Sequence, residues 1–146
     1  MKRKLLVCLA LLTLALSLSA CFISSGEPSY PIELGESALF AQKQLEDAVS
    51  LIQREFRSWK GCEMHAITYA GDHYSTLDNL IWLNELAESK GMGVEFTECA
   101  LFLTDFHSPT EDNNEDGWLP DYEFTDWQWW LGCTAKGQMV LMDFGY

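Results

Sequence analysis

The chain has 146 residues, of which 22 are acidic and nine are basic, so its formal net charge at pH 7 is −13. A charge of this sign argues against partners that are nucleic acids or anionic lipid surfaces, because both would be repelled. Cationic peptides and divalent ions are better matched partners, although such a charge also serves simply to keep a protein soluble.

A secretory signal peptide is predicted at residues 1–20. Three basic residues, Lys2, Arg3 and Lys4, precede the apolar run LLVCLALLTLALSLSA. This run is too short and too poorly flanked for a resident membrane span, but it suits a cleaved signal. Loss of the three basic residues changes the formal charge of the chain from −13 to −16.

The predicted signal ends in LSAC, residues 18–21, which resembles the lipobox of bacterial lipoproteins. The resemblance implies that the Cys21 thiol is diacylated, that the chain is cleaved before Cys21, and that the new amine is acylated. Two or three acyl chains hold a protein at a bilayer, whereas one does so only marginally. We therefore expect a lipid-anchored protein on the extracytoplasmic face of the cell membrane. An ordinary signal peptide that happens to end near a cysteine is the alternative.

A flexible tether is predicted at residues 21–36, because the segment FISSGEPSYPIELGE is rich in Ser, Gly and Pro and has little apolar periodicity. Residues 37–146 are then long enough for a single domain with one modest core. No internal repeat is visible in this part of the sequence.

Two amphipathic helices are predicted in the domain. The first lies in ALFAQKQLEDAVSLIQREFRSW, with Ser37 as a candidate cap and Gly61 as a stop. The second lies in STLDNLIWLNELAESKG, with Ser75 as a candidate cap and Gly91 at its end. The apolar residues expected to face inward are Leu45, Val49, Ile52 and Phe56 in the first helix, and Leu77, Leu80, Ile81, Leu83 and Leu86 in the second.

Four strands are predicted, in CEMHAITYA, VEFTECALFLTDF, FTDWQWWLGCT and QMVLMDFGY. The second is apolar on both faces at residues 99–103, which is typical of a central strand. The last two are expected to form an antiparallel hairpin. The order of these elements predicts an α+β domain in which the long helix and a second helix pack on a curved antiparallel sheet of about four strands.

Several short segments resemble a group of small clostridia-type bacterial lipoproteins of unknown activity. The similar segments are FRSWKGCEMHAITYA, ALFLTDF, WQWWLGCTAKGQ and the terminal GY, which together span most of residues 40–146. The resemblance implies a cystatin-like or nuclear-transport-factor-like fold, and it carries no functional residues. The chain departs from the pattern at Cys133, where an arginine is typical, and in a longer acidic loop.

That acidic loop, DNNEDGWLPDYE, has the ligand spacing of a calcium loop. Gly117 would supply the sharp bend, and Glu123 would close the shell with both carboxylate oxygens. A helix should follow Glu123 in such a site, yet FTDWQWW is typical of a strand, so a solvated loop is the alternative. The five candidate calcium ligands are Asp112, Asn114, Asp116, Trp118 and Glu123.

The tryptophans of the third predicted strand offer a second candidate site. Trp127 and Trp129 fall on one face of that strand, and Trp130 falls on the other. If Trp127 and Trp129 are exposed, they form a platform on which sugar rings stack, as a wall-sugar partner would require. If they are buried, they belong to the core, which a domain of this size favours.

Two carboxylate–imidazole pairs are possible acid–base couples, namely Asp105 with His107 and Asp72 with His73. Neither is accompanied by a nucleophile motif, a zinc-binding helix or a phosphate loop, so we expect no enzyme activity and no cofactor other than the possible calcium. The sequence favours a binding module that meets an envelope protein or a wall sugar. A calcium-stabilised structural domain is the alternative, and an enzyme that uses an Asp/His pair is a third reading.

The cysteines leave the redox chemistry open. Cys62, Cys99 and Cys133 remain after Cys8 is lost with the signal and Cys21 is acylated, and an odd number permits at most one internal pair. No C-x-x-C motif is present, and a buried free thiol is ordinary in an apolar strand. We favour no disulfide.

Overall fold

The computed structural model describes residues 28–110 and 117–146. The predicted signal peptide, Cys21 and the loop residues Asp112, Asn114 and Asp116 lie outside the described residues. In the described part, the strands are β1 (Ile32–Glu33), β2 (Glu63–Tyr69), β3 (Phe96–His107), β4 (Glu123–Thr134) and β5 (Met139–Gly145), and the helices are α1 (Gln42–Phe56) and α2 (Leu77–Ser89). Neither of these helices is long and apolar enough to cross a membrane.

The five described strands form one open sheet in the order β1-β2-β3-β4-β5. Strands β2 to β5 are antiparallel neighbours, so β3 is central and β4–β5 is a hairpin, as predicted. The α+β class is therefore confirmed, but the sheet is mixed and has five strands in this part of the chain rather than four. The extra strand is β1, which pairs in parallel with β2 through Ile32 and Ile67. Ile32 and Glu33 belong to the segment predicted as a tether, and this part of it is instead ordered by backbone pairing with the sheet edge.

Helix α1 has the inward face that its periodicity predicts. Leu45, Val49, Ile52 and Phe56 are all buried, at a spacing of four, three and four residues. The helix begins at Gln42 rather than at Ala38, because the Ser37 hydroxyl accepts hydrogen bonds from the amides of residues 39 and 40 and closes a turn before the helix starts.

Helix α2 is rotated relative to the prediction. Leu83 and Ala87 are buried, whereas Leu77 and Ile81 are 71% and 48% exposed. Apolar residues surround much of this helix, so the sequence did not specify which side meets the sheet. The cap also differs from the prediction: the Thr76 hydroxyl accepts from the amide of residue 79, and the Ser75 hydroxyl instead accepts from the Cys99 amide at 3.1 Å.

The two helices lie on opposite faces of the sheet. Successive side chains of a strand point to opposite faces, and along β3 Cys99 belongs to the apolar cluster with α2, whereas Ala100 and Phe102 belong to the cluster with α1. We call the face opposite α1 the open face, because α2 covers only one end of it. Along β3, Leu103, Asp105 and His107 continue on the open face and are only partly buried.

The face under α1 is filled by aromatic rings. Trp129 is fully buried and stacks on Trp59, with ring centroids 5.0 Å apart and planes 19° from parallel. Its indole nitrogen donates a hydrogen bond of 2.8 Å to the hydroxyl of Thr104, which is 1% exposed. Because a buried indole N–H needs an acceptor, Thr104 has a structural task that valine, although of similar shape, cannot perform.

We expect Thr104→Val to destabilise the protein by about 1–3 kcal/mol, because it leaves the Trp129 N–H buried without its acceptor. Urea unfolding followed by circular dichroism measures the change. Thr68→Val is the matched control. Thr68, in β2, lies on the face of the sheet opposite Thr104 and is only half-buried. Equal unfolding midpoints for the two variants would contradict the role assigned to the Thr104 hydroxyl.

Candidate functional site

A cluster of histidines and carboxylates lies where the ends of β2, β3 and β4 meet on the open face. His107, at the end of β3, is the register partner of Glu123, at the start of β4. The two oxygens of Glu123 contact Nδ1 of His65 at 2.8 Å and Nδ1 of His107 at 3.0 Å. Nε2 of His107 contacts Asp121 at 3.0 Å. We refer to these four residues as the histidine cluster.

Two residues of the histidine cluster, His107 and Glu123, have shifted pKa values. Hydrogen bonds to Asp121 and Glu123 raise the pKa of His107 above its ordinary value, despite a small opposing effect of burial. Burial works against ionisation of Glu123, but the hydrogen bonds from His107 and His65 outweigh it and lower the pKa of that carboxyl. Both shifts favour the charged forms, so imidazolium and carboxylate stabilise each other in this cluster.

The number of hydrogen bonds in the histidine cluster depends on the protonation of His107. Protonated His107 can donate from both ring nitrogens, to Glu123 and to Asp121, whereas a neutral ring can donate from only one. Asp121 has a positive φ of 52°, and its amide donates to the carbonyl of residue 109. The histidine cluster therefore lies at the base of the loop that joins β3 to β4. In residues 28–110 and 117–146, no group of three or more His, Cys, Asp or Glu side chains is placed to hold a metal ion.

Glu123, one of the five predicted calcium ligands, lies among histidines in the part of the chain that the structure describes. Glu123 is the first residue of strand β4, with no helix after it to turn its carboxylate into the loop. Both of its oxygens already contact histidine nitrogens. The Trp118 side chain packs against Trp59, Phe106 and Phe124. Asp112, Asn114 and Asp116 lie outside the described residues, so the rest of the predicted ligand set has no geometry here.

The two predicted acid–base couples do not form. Asp105 accepts a hydrogen bond from the Asp126 amide at 3.0 Å, and His107 contacts other carboxylates. Asp72 accepts from the hydroxyls of Ser37 and Tyr69, at 2.5 and 2.8 Å, and these bonds tie the chain before α1 to the end of β2. Hydrogen bonding, first to Ser37, lowers the pKa of Asp72. The Asp72 carboxylate is therefore a structural acceptor.

The platform of Trp127 and Trp129 does not form either. Trp129 is fully buried, and Trp127 is half-buried with its ring at 4.9 Å from that of Tyr146 and 5.7 Å from that of Phe124. Both tryptophans therefore serve the core, the alternative that small domain size favoured, because the face of β4 that carries them lies toward α1.

An aromatic groove occurs instead on the open face. Trp82 of α2 and Trp130 of β4 meet edge to face, with ring centroids 5.5 Å apart and an interplanar angle of 82°. The groove has a volume of about 180 Å³. Its lining residues are Trp82, Gln128, Trp130, Asp143, Phe144, Gly145 and Tyr146. The sequence signal for one wall was the placement of Trp130 opposite Trp129, but nothing local indicated that α2 would bring Trp82 to it.

The cysteines of the domain are free thiols. Cys99 and Cys133 are buried in β3 and β4, and burial raises the pKa of both thiols. Cys62 is half-buried just before β2. Since the thiolate is the reactive form, the raised pKa values make Cys99 and Cys133 poor nucleophiles.

Comparison with protein-family models, with curated proteins and with solved structures gives no match to this chain. The assignment of a function therefore depends on the residues and on the geometry described above.

The histidine cluster predicts a pH-dependent stability difference between the wild type and Glu123→Gln. The Glu123 contribution is present above its ordinary pKa of 4.5 and is lost as the pH falls through its lowered value. The His107 contribution is complete below its ordinary pKa of 6.5 and is lost as the pH rises through its raised value. Both contributions operate between these limits, so we expect a larger loss of Tm at about pH 5.5 than at about pH 8.5.

Thermal unfolding monitored by circular dichroism at the two pH values measures this difference. The control is Glu95→Gln, which removes the same charge from an exposed side chain outside the histidine cluster. A Tm difference for Glu123→Gln that is the same at both pH values would show that the protonation of His107 is not coupled to Glu123.

Calcium is expected to leave the Tm of the wild type unchanged even at millimolar concentration, because binding would have to displace both histidines from Glu123. A thermal-shift titration with calcium chloride measures this. Magnesium chloride at the same ionic strength is the control. A calcium-specific rise in Tm that Glu123→Gln abolishes would contradict this expectation and support the calcium loop.

Proposed function

We propose that this protein is an extracytoplasmic lipoprotein that is anchored to the cell membrane through acylated Cys21 and presents a binding domain to the envelope. The LSAC sequence supports the anchor, because the cysteine stands where the lipid attaches in bacterial lipoproteins. The proposal assigns no catalytic step, no cofactor and no nucleic-acid partner to the domain. Its partner is an envelope protein or a wall sugar.

The observation that carries the binding role is the aromatic groove on the open face. Two tryptophans at right angles, beside the polar side chains of Gln128 and Asp143, form a concave site with few, fixed polar groups. Such a mixture of apolar walls and a small number of polar groups is typical of ligand sites. The Trp130 indole donates to Gln128 at 3.1 Å, which holds the polar group against the aromatic wall.

The length of chain before the domain sets how far the domain stands from the bilayer. Residues 21–27 precede the described part, and Tyr30 already accepts a hydrogen bond from Gln53 of α1 at 3.0 Å. The proposed linker between Cys21 and the fold is therefore shorter than residues 21–36, and the domain would stand close to the membrane surface.

We propose a distant cystatin-like arrangement for the domain, in keeping with the resemblance to small bacterial lipoproteins. The support is that α1 packs on one face of the antiparallel meander β2 to β5. Two elements are additions to this arrangement, namely the short parallel strand β1 and helix α2 on the opposite face.

The anchor is tested by expressing the full-length chain in a bacterium that processes lipoproteins and measuring its distribution between membrane and soluble fractions. We expect the wild type in the membrane fraction, with a mature N-terminus at Cys21 whose mass includes acyl chains. We expect Cys21→Ala to carry no acyl chains and, because the proposed cleavage follows acylation of Cys21, to keep its apolar signal peptide. The mass of the N-terminus therefore distinguishes this variant from the wild type.

Cys8→Ala is the matched control for this experiment. It removes another cysteine of the same apolar segment, but one that does not lie at the proposed cleavage position. We expect this variant to be acylated and retained like the wild type. An unmodified Cys21 thiol in the membrane-bound wild type would overturn the proposed anchor.

A further inference from the structure

We propose that the aromatic groove between Trp82 and Trp130 binds an organic ammonium group, with the Asp143 carboxylate as its counter-charge. This inference deepens the proposed binding role of the open face, on which it rests. It assigns a class of ligand to a site that was so far described only by its shape.

The arrangement of the two indole rings is the first argument. In an edge-to-face pair with planes at 82° and centroids 5.5 Å apart, one ring stands on the face of the other and leaves a corner between two π faces. A compact cation in this corner meets the negative faces of both rings. Tyr74 packs edge to face against Trp130, with ring centroids 6.3 Å apart, and helps to hold that ring in place.

The charge of the site is the second argument. Asp143 is the only ionisable acidic or basic side chain lining the described groove, apart from the phenol of Tyr146. The Asp143 side chain is exposed, and its carboxylate makes no ion pair or hydrogen bond with the residues that the structure describes. The nearby Lys90 ammonium is directed to the Met142 carbonyl at 2.6 Å. The carboxylate is therefore available for an incoming cation, and the chain charge of −13 favours the approach of that cation.

The size of the groove is the third argument. Its volume of about 180 Å³ is roughly that of six water molecules in the liquid and lies below the range of about 300–1,000 Å³ that is usual for drug-sized ligands. A methylated ammonium group or the end of a lysine side chain suits this volume. A flat sugar ring can stack on only one of two perpendicular rings. A cation in the corner can contact both rings, so the geometry favours a cation.

Strand β5 lines one side of the groove. Gly145 is the register partner of Gln128, and a Cβ added at Gly145 would meet no atom within 4 Å. A bulge between Trp130 and Leu131 places both Met142 and Asp143 toward the open face, with Met142 buried against α2 and Asp143 exposed beside Trp130. The irregularity of the strand is thus what puts a carboxylate next to the aromatic corner.

The test is a titration of the ¹⁵N-labelled full-length chain in a non-ionic polyoxyethylene detergent with choline chloride, followed by NMR of the indole N–H signals. Single Trp82→Phe and Trp130→Phe variants assign the two signals. We expect these two to shift and to saturate with choline. We expect no saturable shift with 3,3-dimethyl-1-butanol, which has the same shape without the charge.

Variants separate the carboxylate from the rings. We expect Asp143→Asn and Trp82→Ala each to raise the Kd for choline by about twofold to fivefold, as the loss of one exposed electrostatic or cation–π contact predicts. Glu88→Gln, which removes the same charge from an exposed position of α2 outside the groove, should leave the Kd unchanged. Asp143→Asn preserves the shape of the side chain. If Trp82→Ala impairs folding, Asp143→Asn therefore still tests the carboxylate.

A second arm distinguishes a small ligand from a peptide partner. A lysine-containing peptide and its N-ε-acetylated form are titrated in the same way. Saturation by the unmodified peptide, weakened by Asp143→Asn, supports an ammonium from a protein, and saturation by choline alone supports a small molecule. Equal binding of choline and its neutral analogue, binding of a neutral sugar instead, or no binding of either ammonium would overturn the inference. None of these results would change where the lipid-anchored chain is found in the cell, so the proposed anchor is judged separately.

Discussion

The fold depends on the burial of one strand on both of its faces. β3 is apolar on both sides from Cys99 to Phe102, and it lies between β2 and β4 with helices above and below. Each large apolar side chain that is buried stabilises the fold by roughly 1.5–3 kcal/mol. Removing the whole strand from water requires a packed layer on each face. The long amphipathic helix α1 provides this layer on one face, and the shorter α2 provides it only at one end of the other.

The partial cover on the second side leaves the open face available. Beyond Cys99 and Leu101, the side chains that β3 directs there become polar, ending in Asp105 and His107. The aromatic groove lies at the edge of α2, and the histidine cluster lies at the far end of the same face. Strands β3 and β4 have 12 residues each, which at about 3.3 Å per residue span roughly 40 Å. Helix α2 has 13 residues, which at about 1.5 Å per residue span only roughly 20 Å. Both features thus arise because α2 is too short to cover the whole face.

Irregularities in the ladders decide which groups meet on that face. One extra residue of β4 between Phe124 and Trp127 forms a bulge opposite β3, where Asp126 adopts a positive φ of 55° and its amide donates to Asp105. Such a bulge changes which side chains alternate to each face. It returns Glu123 to the open face beside His107. The two histidines then meet a carboxylate that the spacing of the loop had suggested for calcium.

Much of the architecture was determined by the sequence. The stripe from Leu45 to Phe56, the two-sided apolar run of β3 and the terminal hairpin were all readable, because each depends on local periodicity that burial on a regular helix or strand imposes. The opposite placement of Trp129 and Trp130 also followed from the strand period alone. The resemblance of LSAC, residues 18–21, to a lipobox is likewise a matter of the sequence alone.

Only the tertiary structure decided the rest. The side of α2 that packs on the sheet, and therefore the meeting of Trp82 with Trp130, depended on competition among several apolar residues for one surface. The pairing of β1 with β2 depended on a sheet edge supplied by residues more than thirty positions away. Glu123 bridges His65 and His107 because the start of β2, the end of β3 and the start of β4 lie at the same edge of the sheet. His65 is 58 residues from Glu123 in the chain. Sequence patterns describe what one segment requires, whereas partners brought together from distant segments are chosen by packing and pairing of the whole domain.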